Sequence, residues 1–158
     1  METIDFTLNG RAVSVAADPT AILLDVLRGP LGLTGTRYGC GQEQCGACLV
    51  LLDGAPAYAC GREIGSIAGQ VVITVEGLGT PDAPHPIQTA MLAEQAGQCG
   101  YCLSGIIVAA AALLDSHPRP DRAAIVEALD PHLCRCGAQN RMVRAVERAA
   151  AALAGAAA

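Results

Sequence analysis

The sequence predicts an α+β protein, in which a small mixed sheet packed on one helix is followed by a bundle of short helices. Two observations support this fold class. The first half alternates apolar and polar residues between turn signals and ends in the β-branched run at residues 71–75. The second half has the spacing of helices throughout. Between them, residues 78–86 are rich in glycine and proline, which marks the expected linker.

In the first half, Asn9-Gly10 is the strongest signal of a tight hairpin turn, and it lies between two alternating segments. A helix is predicted to open at Asp18-Pro19-Thr20, because Asp18 or Thr20 can cap it and proline is tolerated in a first turn. Gly32 is expected to mark the end of this helix. Further strands are predicted at residues 49–52, 57–59 and 71–75.

The second half is expected to contain four helices with brief connections, which is the pattern of a helical bundle. Asp121 is the predicted N-cap of the third helix. The predicted helices span residues 86–95, 104–114, 121–129 and 140–153.

Composition limits the possible classes of function. The chain has 158 residues and a formal net charge of −5, and a surface of this sign repels phosphate backbones. Nucleic acid is therefore not expected as a partner. The first residues lack the layout of a secretory signal, and the apolar stretch 106–114 is too short to span a membrane. We expect a cytoplasmic protein, in which reduced cysteines serve as metal ligands more readily than as disulfides.

The eight cysteines fall into two groups of four. The first group reads C-x4-C-x2-C with a fourth cysteine after eleven further residues, which is a plant-type [2Fe–2S] spacing. The second group is a C-x2-C pair followed, after a long gap, by C-x-C. Zinc is an alternative for the second group, because four thiolates suit a structural zinc site. The groups are Cys40, Cys45, Cys48 and Cys60, and then Cys99, Cys102, Cys134 and Cys136.

The residues around the cysteines suit an iron–sulfur cluster. Its sulfurs carry negative charge, so the surrounding loop must aim backbone N–H groups at them, and glycine permits this approach. Gly39, Gly41 and Gly46 lie beside the first group. Cys102 is expected at the start of a helix, where the helix dipole favours a thiolate. Two such centres in one small chain indicate electron transfer rather than chemistry on a substrate.

These motifs resemble those of a known family. The stretches LGLTGTRYGCGQEQCGACLV, ITVEGL, QCGYCLSGII and LCRCG look like the small iron–sulfur subunit of the molybdenum hydroxylases, the family of xanthine dehydrogenase and aldehyde oxidoreductases. The resemblance implies a plant-ferredoxin-like β-grasp domain at residues 1–77 and a four-helix domain at residues 83–158. Each domain would hold one [2Fe–2S] cluster on its own four cysteines.

The resemblance also implies partners and a role. A separate large subunit would carry molybdopterin and oxidise the substrate. Electrons would pass to the helical-domain cluster, then to the ferredoxin-like cluster, and then to FAD or haem on a flavin subunit or a cytochrome. Gln98 and Cys136 match the positions that contact the pterin. This chain would carry out electron transfer only, as a subunit of an oxidoreductase acting on an N-heteroaromatic compound or an aldehyde.

One residue departs from the pattern that this family shows. Glu43 stands where the family usually has glycine. A β-carbon would strain the loop if this position needs a positive φ, and a carboxylate beside the cluster would lower its reduction potential. The alternative is that the side chain points into solvent and has little effect.

Several other residues have less specific interpretations. Arg37 and Arg135 adjoin the cysteines and are candidates for balancing cluster charge or for contacting a partner. His85, His117 and His132 are expected in loop or capping roles, because both cysteine groups are complete without them. A free-standing ferredoxin is the alternative function, although a soluble carrier has no evident use for the helical half.

Overall fold

The protein is described by a computed structural model, which covers residues 1–156 and has the expected mixed sheet and helices of an α+β fold. The strands are β1 (Glu2–Leu8), β2 (Arg11–Ala17), β3 (Leu49–Leu52), β4 (Ala55–Tyr58) and β5 (Val71–Ile73). The α-helices are α1 (Leu23–Arg28), α2 (Pro86–Ala93), α3 (Leu103–Ser116), α4 (Arg122–Leu129) and α5 (Gln139–Ala156).

The sheet has the strand order β2-β1-β5-β3-β4. Strand β1 pairs with β2 antiparallel and with β5 parallel, while β3 pairs antiparallel with both β4 and β5. The hairpin between β1 and β2 turns at Asn9 and Gly10, with φ of 50° and 77°. Both values lie in the left-handed region that this kind of two-residue turn requires, so the predicted turn is confirmed.

Helix α1 is shorter than the sequence predicted. It begins at Leu23 rather than near Asp18, because the backbone of Ile22 is extended and forms a β-bridge with Glu63. Asp18 caps only a local turn, in which its carboxylate accepts a hydrogen bond from the backbone N–H of Thr20 at 3.0 Å. The helix ends before Gly29 instead of at Gly32. The following residue is Pro30, which disfavours a helical conformation in the residue before it.

Strand β5 is also shorter than predicted and ends at Ile73. The backbone N–H of Thr74 donates to the Asn9 side chain at 2.9 Å, and the Asn9 amide donates to the Thr74 hydroxyl at 3.0 Å. This exchange ties the end of β5 to the hairpin turn and takes the place of a further strand pair. Thr74 is fully buried, and its hydroxyl also donates to the Glu76 carboxylate at 2.6 Å.

The four later helices lie within a few residues of the predicted bounds. Asp121 caps α4 as predicted, accepting from the backbone N–H of Ala124 at 2.8 Å. His85 caps α2, since its Nδ1 accepts from Ile87 N at 3.2 Å while the Gln88 side chain accepts from His85 N at 2.8 Å. The capping role expected for this histidine is thereby confirmed.

Apolar side chains are buried in three clusters. One packs α1 against the sheet, and one fills the space among α2, α3, α4 and α5. The third joins the two halves, with Leu49 and Leu51 of β3 packed against Val108 and Ala109 of α3. Helix α3 therefore lies directly on the sheet, and the loops that carry the two cysteine groups meet beside this contact.

Candidate metal centres

The loop that holds the first cysteines is curled around sulfur. Backbone N–H groups of Gln42 and Gln44 donate to the Cys40 sulfur at 3.3 and 3.2 Å, and the N–H of Cys40 donates to the Cys45 sulfur at 3.3 Å. Positive φ angles recur along this segment, with 69° at Gly41 and 73° at Gly46. The left-handed residues turn successive N–H groups toward one side, which makes a concave surface for anions, as predicted from the glycines.

The thiols of the first group differ in their tendency to ionise. The N–H groups of Gln42 and Gln44 lower the pKa of Cys40 to about 7, because they stabilise the thiolate. Burial raises the pKa of Cys48 to about 12, and the neighbouring Cys60 thiol adds to this effect. The loop thus offers one thiol that ionises readily and a buried pair at its inner side.

The second group lies at the junctions of the helical half. Cys102 is the N-cap of α3, which confirms its predicted place at a helix start. The Cys99 and Cys136 sulfurs are 3.5 Å apart. Burial, together with the adjoining Cys134 thiol, raises the pKa of Cys102 to about 12. Burial opposes ionisation of Cys134 too, but the backbone N–H of Ala138 and others nearby outweigh it, so the pKa of Cys134 is lowered.

The eight thiols are brought together two by two. Besides the pair of Cys99 and Cys136, three more pairs interact through their side chains. A [2Fe–2S] core has two irons, and each takes two thiolates, so two pairs per group form a suitable donor set. In residues 1–156, no three such side chains gather where they could share a single ion. The other pairs are Cys40 with Cys45, Cys48 with Cys60, and Cys102 with Cys134.

The two cysteine groups adjoin one another. A cavity of about 350 Å³ is lined by members of both groups, together with the side chains of Tyr101 and Leu133. A hydrogen bond crosses between the halves at this place, from the backbone N–H of Leu133 to the carbonyl oxygen of Cys45 at 3.0 Å. The lining cysteines are Cys40, Cys45, Cys99, Cys102 and Cys136.

The backbone of Glu43 is in a left-handed conformation, the case in which a β-carbon was expected to strain the loop. Its φ is 57°, in the left-handed region that the glycine of the family would adopt without cost. The side chain is exposed, yet it does not extend freely, because its carboxylate lies against Gly61, the residue after Cys60. A negative charge is therefore held beside the first cysteine group.

The two arginines beside the cysteines have different surroundings. The guanidinium of Arg37 lies over the Tyr101 ring, 5.8 Å from its centroid, while the Tyr101 hydroxyl donates to the Tyr38 carbonyl oxygen. This contact fastens the Cys99–Cys102 loop to the first loop. Arg135 is exposed at the rim of the shared cavity. Arg37 is thus engaged within the chain. The roles predicted for both arginines, in balancing cluster charge or contacting a partner, stay predictions.

Gln98 and Cys136 lie on the same side of the helical half. Gln98 is exposed and lines a cavity of about 680 Å³ with Gln95 and Arg141. Cys136 is half-buried, and the sulfur of Cys99 next to Gln98 is its neighbour. The structure thus leaves Gln98 accessible beside a cysteine pair, and its predicted contact with a pterin stays a prediction.

His132 has a place that sequence reasoning missed. It was expected in a loop or capping role, but its ring is buried against Gly46 of the first loop. Burial lowers the pKa of His132, although the adjacent Gly46 peptide acts in the opposite direction. No periodicity or spacing in the sequence connects residue 132 with residue 46. The only signal was a histidine two residues before a ligand motif.

Comparison with known proteins identifies the family. Residues 6–66 match a family model described as a 2Fe-2S iron-sulfur cluster binding domain, and residues 74–147 match one described as a [2Fe-2S] binding domain. The A subunit of nicotinate dehydrogenase from Pseudomonas putida is 48% identical over 148 residues, which cover 94% of each chain. The chain belongs to the family of small iron–sulfur subunits of the molybdenum hydroxylases.

Other members of the family extend the match. The alpha subunit of isoquinoline 1-oxidoreductase from Brevundimonas diminuta is 50% identical, over 93% of this iron–sulfur subunit and 97% of its own length. The aldehyde oxidoreductase of Desulfovibrio desulfuricans contains the same fold, with a TM-score of 0.95 and 43% identity. The iron–sulfur subunit covers 17% of that longer chain. Quinoline 2-oxidoreductase of Pseudomonas putida 86 matches over 96% of the matched chain, with a TM-score of 0.93 and 34% identity.

Membership of this family gives the chain its general role. It is a subunit of an oxidoreductase, it carries two [2Fe–2S] clusters, and it transfers electrons. Within residues 1–156, no helix is both long enough and apolar enough to cross a membrane.

Proposed function

We propose that each half of this iron–sulfur subunit forms a domain that holds one [2Fe–2S] cluster. Residues 1–77 form the plant-ferredoxin-like β-grasp domain. Residues 83–158, of which 157 and 158 lie outside the described residues, form the four-helix domain. The observation that carries the proposal is the meeting of thiols two by two in both groups. The ligands of the first cluster are Cys40, Cys45, Cys48 and Cys60, and those of the second are Cys99, Cys102, Cys134 and Cys136.

The protein residues tune the clusters and insulate them. When bound, each cluster supplies one-electron transfer. The N–H groups of Gln42 and Gln44 stabilise the negative charge on the Cys40 sulfur. Cys48 and Cys102 keep the inner side of each cluster away from water because both are buried. Cys99 is exposed, so the second cluster approaches the surface on that side, where a partner can exchange electrons with it.

The proposed partner is a large molybdopterin-binding subunit that covers the exposed side of the second cysteine group. Gln98 and Cys136 are the residues that contact the pterin there, and the accessibility of Gln98 supports this assignment. Electrons then leave through an FAD subunit or a haem-containing cytochrome. Two relatives are named for nicotinate and isoquinoline, which favours an N-heteroaromatic substrate over an aldehyde. We place the complex in the cytoplasm, where eight free thiols remain reduced for cluster assembly.

Metal analysis of the complex tests this function. The chain is purified with its native partners, and iron, sulfide, molybdenum, flavin and haem are measured per complex. We expect about four iron and four sulfide per copy of this chain, because each of the two cores contains two of each. Reduction should produce two distinct EPR signals. About two iron atoms, or zinc in place of iron, would contradict the assignment, and a loaded chain without a molybdenum-containing partner would favour a free-standing ferredoxin.

Single cysteine variants assign the ligands. Cys60→Ser should leave about two iron atoms and the EPR signal of the helical-domain cluster, because only one core loses a ligand. Cys99→Ser should instead leave the EPR signal of the ferredoxin-like cluster. A variant that retains four iron atoms and both signals would remove that cysteine from the ligand set.

A further inference from the structure

The two halves touch through backbone beside the cysteines. A β-carbon placed on Gly105 of α3 would overlap the carbonyl oxygen of Gly46, and it would lie 2.9 Å from the carbonyl carbon of Gly46 and 3.3 Å from Cα of Ala47. Contacts shorter than 3.0 Å, such as the two with Gly46, essentially do not occur for real Cβ atoms, so the position has no room for a methyl group. Gly46 directly follows Cys45, and Gly105 lies three residues after Cys102.

The opposite side of the same glycine is covered by His132. A β-carbon on Gly46 would overlap His132 Nδ1 and would lie 2.8 Å from His132 Cε1. His132 is 8% exposed, and its Nδ1 has no hydrogen-bond partner by geometry in the part of the chain that the structure describes. Close packing against the Gly46 backbone therefore holds the ring in this position. His132 lies two residues before Cys134.

We propose that Gly46, Gly105 and His132 form a clasp that fixes the separation between the two clusters. The inference rests on the proposed function, since it assumes a cluster on each cysteine group. One electron leaves one reduced core and enters the other, with no bond or proton moved, and the rate of such a transfer falls steeply with distance. Gly105 and His132 are positioning residues in this scheme. Leu51 of β3 packs on Val108 behind this contact and holds α3 against the sheet.

Gly105→Ala tests the clasp in the full chain loaded with both clusters. The added methyl should push the start of α3 away from the first loop and lengthen the gap between the clusters. Because spin–spin coupling weakens with the cube of distance, the splitting in the EPR spectrum of the fully reduced chain should decrease. Electron transfer between the clusters should slow severalfold, while each midpoint potential stays unchanged. Gly155→Ala is the matched control, since a β-carbon there meets no atom of the described residues within 4 Å.

Alanine is favoured over glycine inside a helix, so weaker coupling or slower electron transfer in Gly105→Ala reports the contact and not helix propensity. If Gly105→Ala loads both clusters and keeps the wild-type coupling, the clasp is excluded. If this variant does not load, His132→Ala decides, because it removes atoms instead of adding them. His132→Ala should broaden the distribution of coupling strengths, and an unchanged distribution would overturn the proposal. Failure of the proposed function can be told apart from failure of the clasp, since the wild-type chain itself would then contain fewer than four iron atoms.

Discussion

Residue 43 shows how one side chain can bear on a cluster. Glu43 has a φ of 57° between two N–H groups that donate to the Cys40 sulfur, from residues on either side of it. A residue other than glycine in this conformation costs roughly 1–2 kcal/mol. The Glu43 carboxylate lies against Gly61, so its negative charge is held close to the cysteines. A glycine at position 43 would carry no such charge.

We predict that Glu43→Gly raises the midpoint potential of the first cluster, because a nearby negative charge disfavours the reduced state. Stability of the loaded chain should increase by up to about 1 kcal/mol, since relief of the left-handed strain exceeds the added freedom of glycine in the unfolded state. Redox titration followed by EPR measures the first effect, and thermal unfolding measures the second. Glu43→Gln is the control that separates them, since it removes the charge and keeps the strain. An unchanged potential in both variants would show that the carboxylate is screened by solvent.

At the scale of single residues, the sequence predicts a feature well when that feature depends on residues adjacent in the chain. The cysteine spacing, the Asn9-Gly10 turn and the Asp121 cap each depend on a few neighbours in sequence, and the turn and the cap are confirmed. The contact of His132 with Gly46 could not be predicted, because 86 positions separate them (132 − 46) and only the fold brings them together.

Helix α4 has a side-chain N-cap in addition to its packing. Asp121 satisfies the backbone N–H of Ala124, and Ile125 is the only residue of α4 within the described chain that is fully buried. We predict that Asp121→Ala lowers the free energy of unfolding by about 0.5–2 kcal/mol. Asp121→Ser should retain most of the stability, since serine also accepts at this position. Chemical denaturation of the loaded chain measures both variants, and equal losses in the two would mean that the cap is not the source of the stability.

Helices α2 and α5 are joined by an ion network. The Glu94 carboxylate accepts from Arg144 at 3.1 Å and from Arg148 at 2.9 Å. Both arginine side chains are more than half exposed, so the network lies on the surface of the helical half. The hydrogen bond from Arg144, together with Arg148, lowers the pKa of Glu94 from its usual 4.5.

This shift gives a pH dependence with a definite sign. A carboxylate whose pKa is lowered by folding adds stability above the unfolded pKa, and this stability is lost as the pH falls through the folded value. We therefore expect Glu94→Gln to have a slightly lower Tm than the wild type at neutral pH and the same Tm in acid below the folded pKa. Glu127→Gln is the matched control, since Glu127 is exposed and forms no ion pair among the described residues. A difference in Tm that persists unchanged into acid would exclude the ion network as its cause.

Element boundaries were harder to predict than element types. The start of α1 moved to Leu23 because Ile22 pairs with Glu63, and β5 ended at Ile73 because Thr74 pairs with Asn9. Glu63 is far from Ile22 in the sequence, and Asn9 is far from Thr74. Local propensity fixed which segments are helices or strands, and tertiary hydrogen bonds then fixed where they end.

At the scale of the whole molecule, two small halves are stabilised by each other. Domains below about 80 residues rarely reach ordinary stability from one hydrophobic core. Here the cluster formed by β3 and α3 connects the core of the sheet with the core of the helices. The sequence predicted the two halves, but it gave no sign that α3 packs on the sheet, because its apolar residues are spread around most of the helix.

We predict that Val108→Ala loosens the connection between the halves, whereas Val146→Ala does not. Both side chains are fully buried, but Val108 lies in the cluster that joins the halves and Val146 lies in the core of the helical half. Removing two methyl groups from either site should cost about 2 kcal/mol, from lost burial and the cavity left behind. Calorimetry of the loaded chain should resolve two transitions for Val108→Ala, since each half then unfolds on its own.

The visible absorption of the clusters gives an independent readout of the same comparison. In Val108→Ala, bleaching on heating should occur in two steps, because each cluster is lost with its own half. In Val146→Ala, the coupling between the halves is intact, so one transition should remain at a lower Tm. A single transition of wild-type width in both variants would show that the halves stay coupled through the Gly46 contact alone, and that packing between β3 and α3 contributes stability without setting cooperativity.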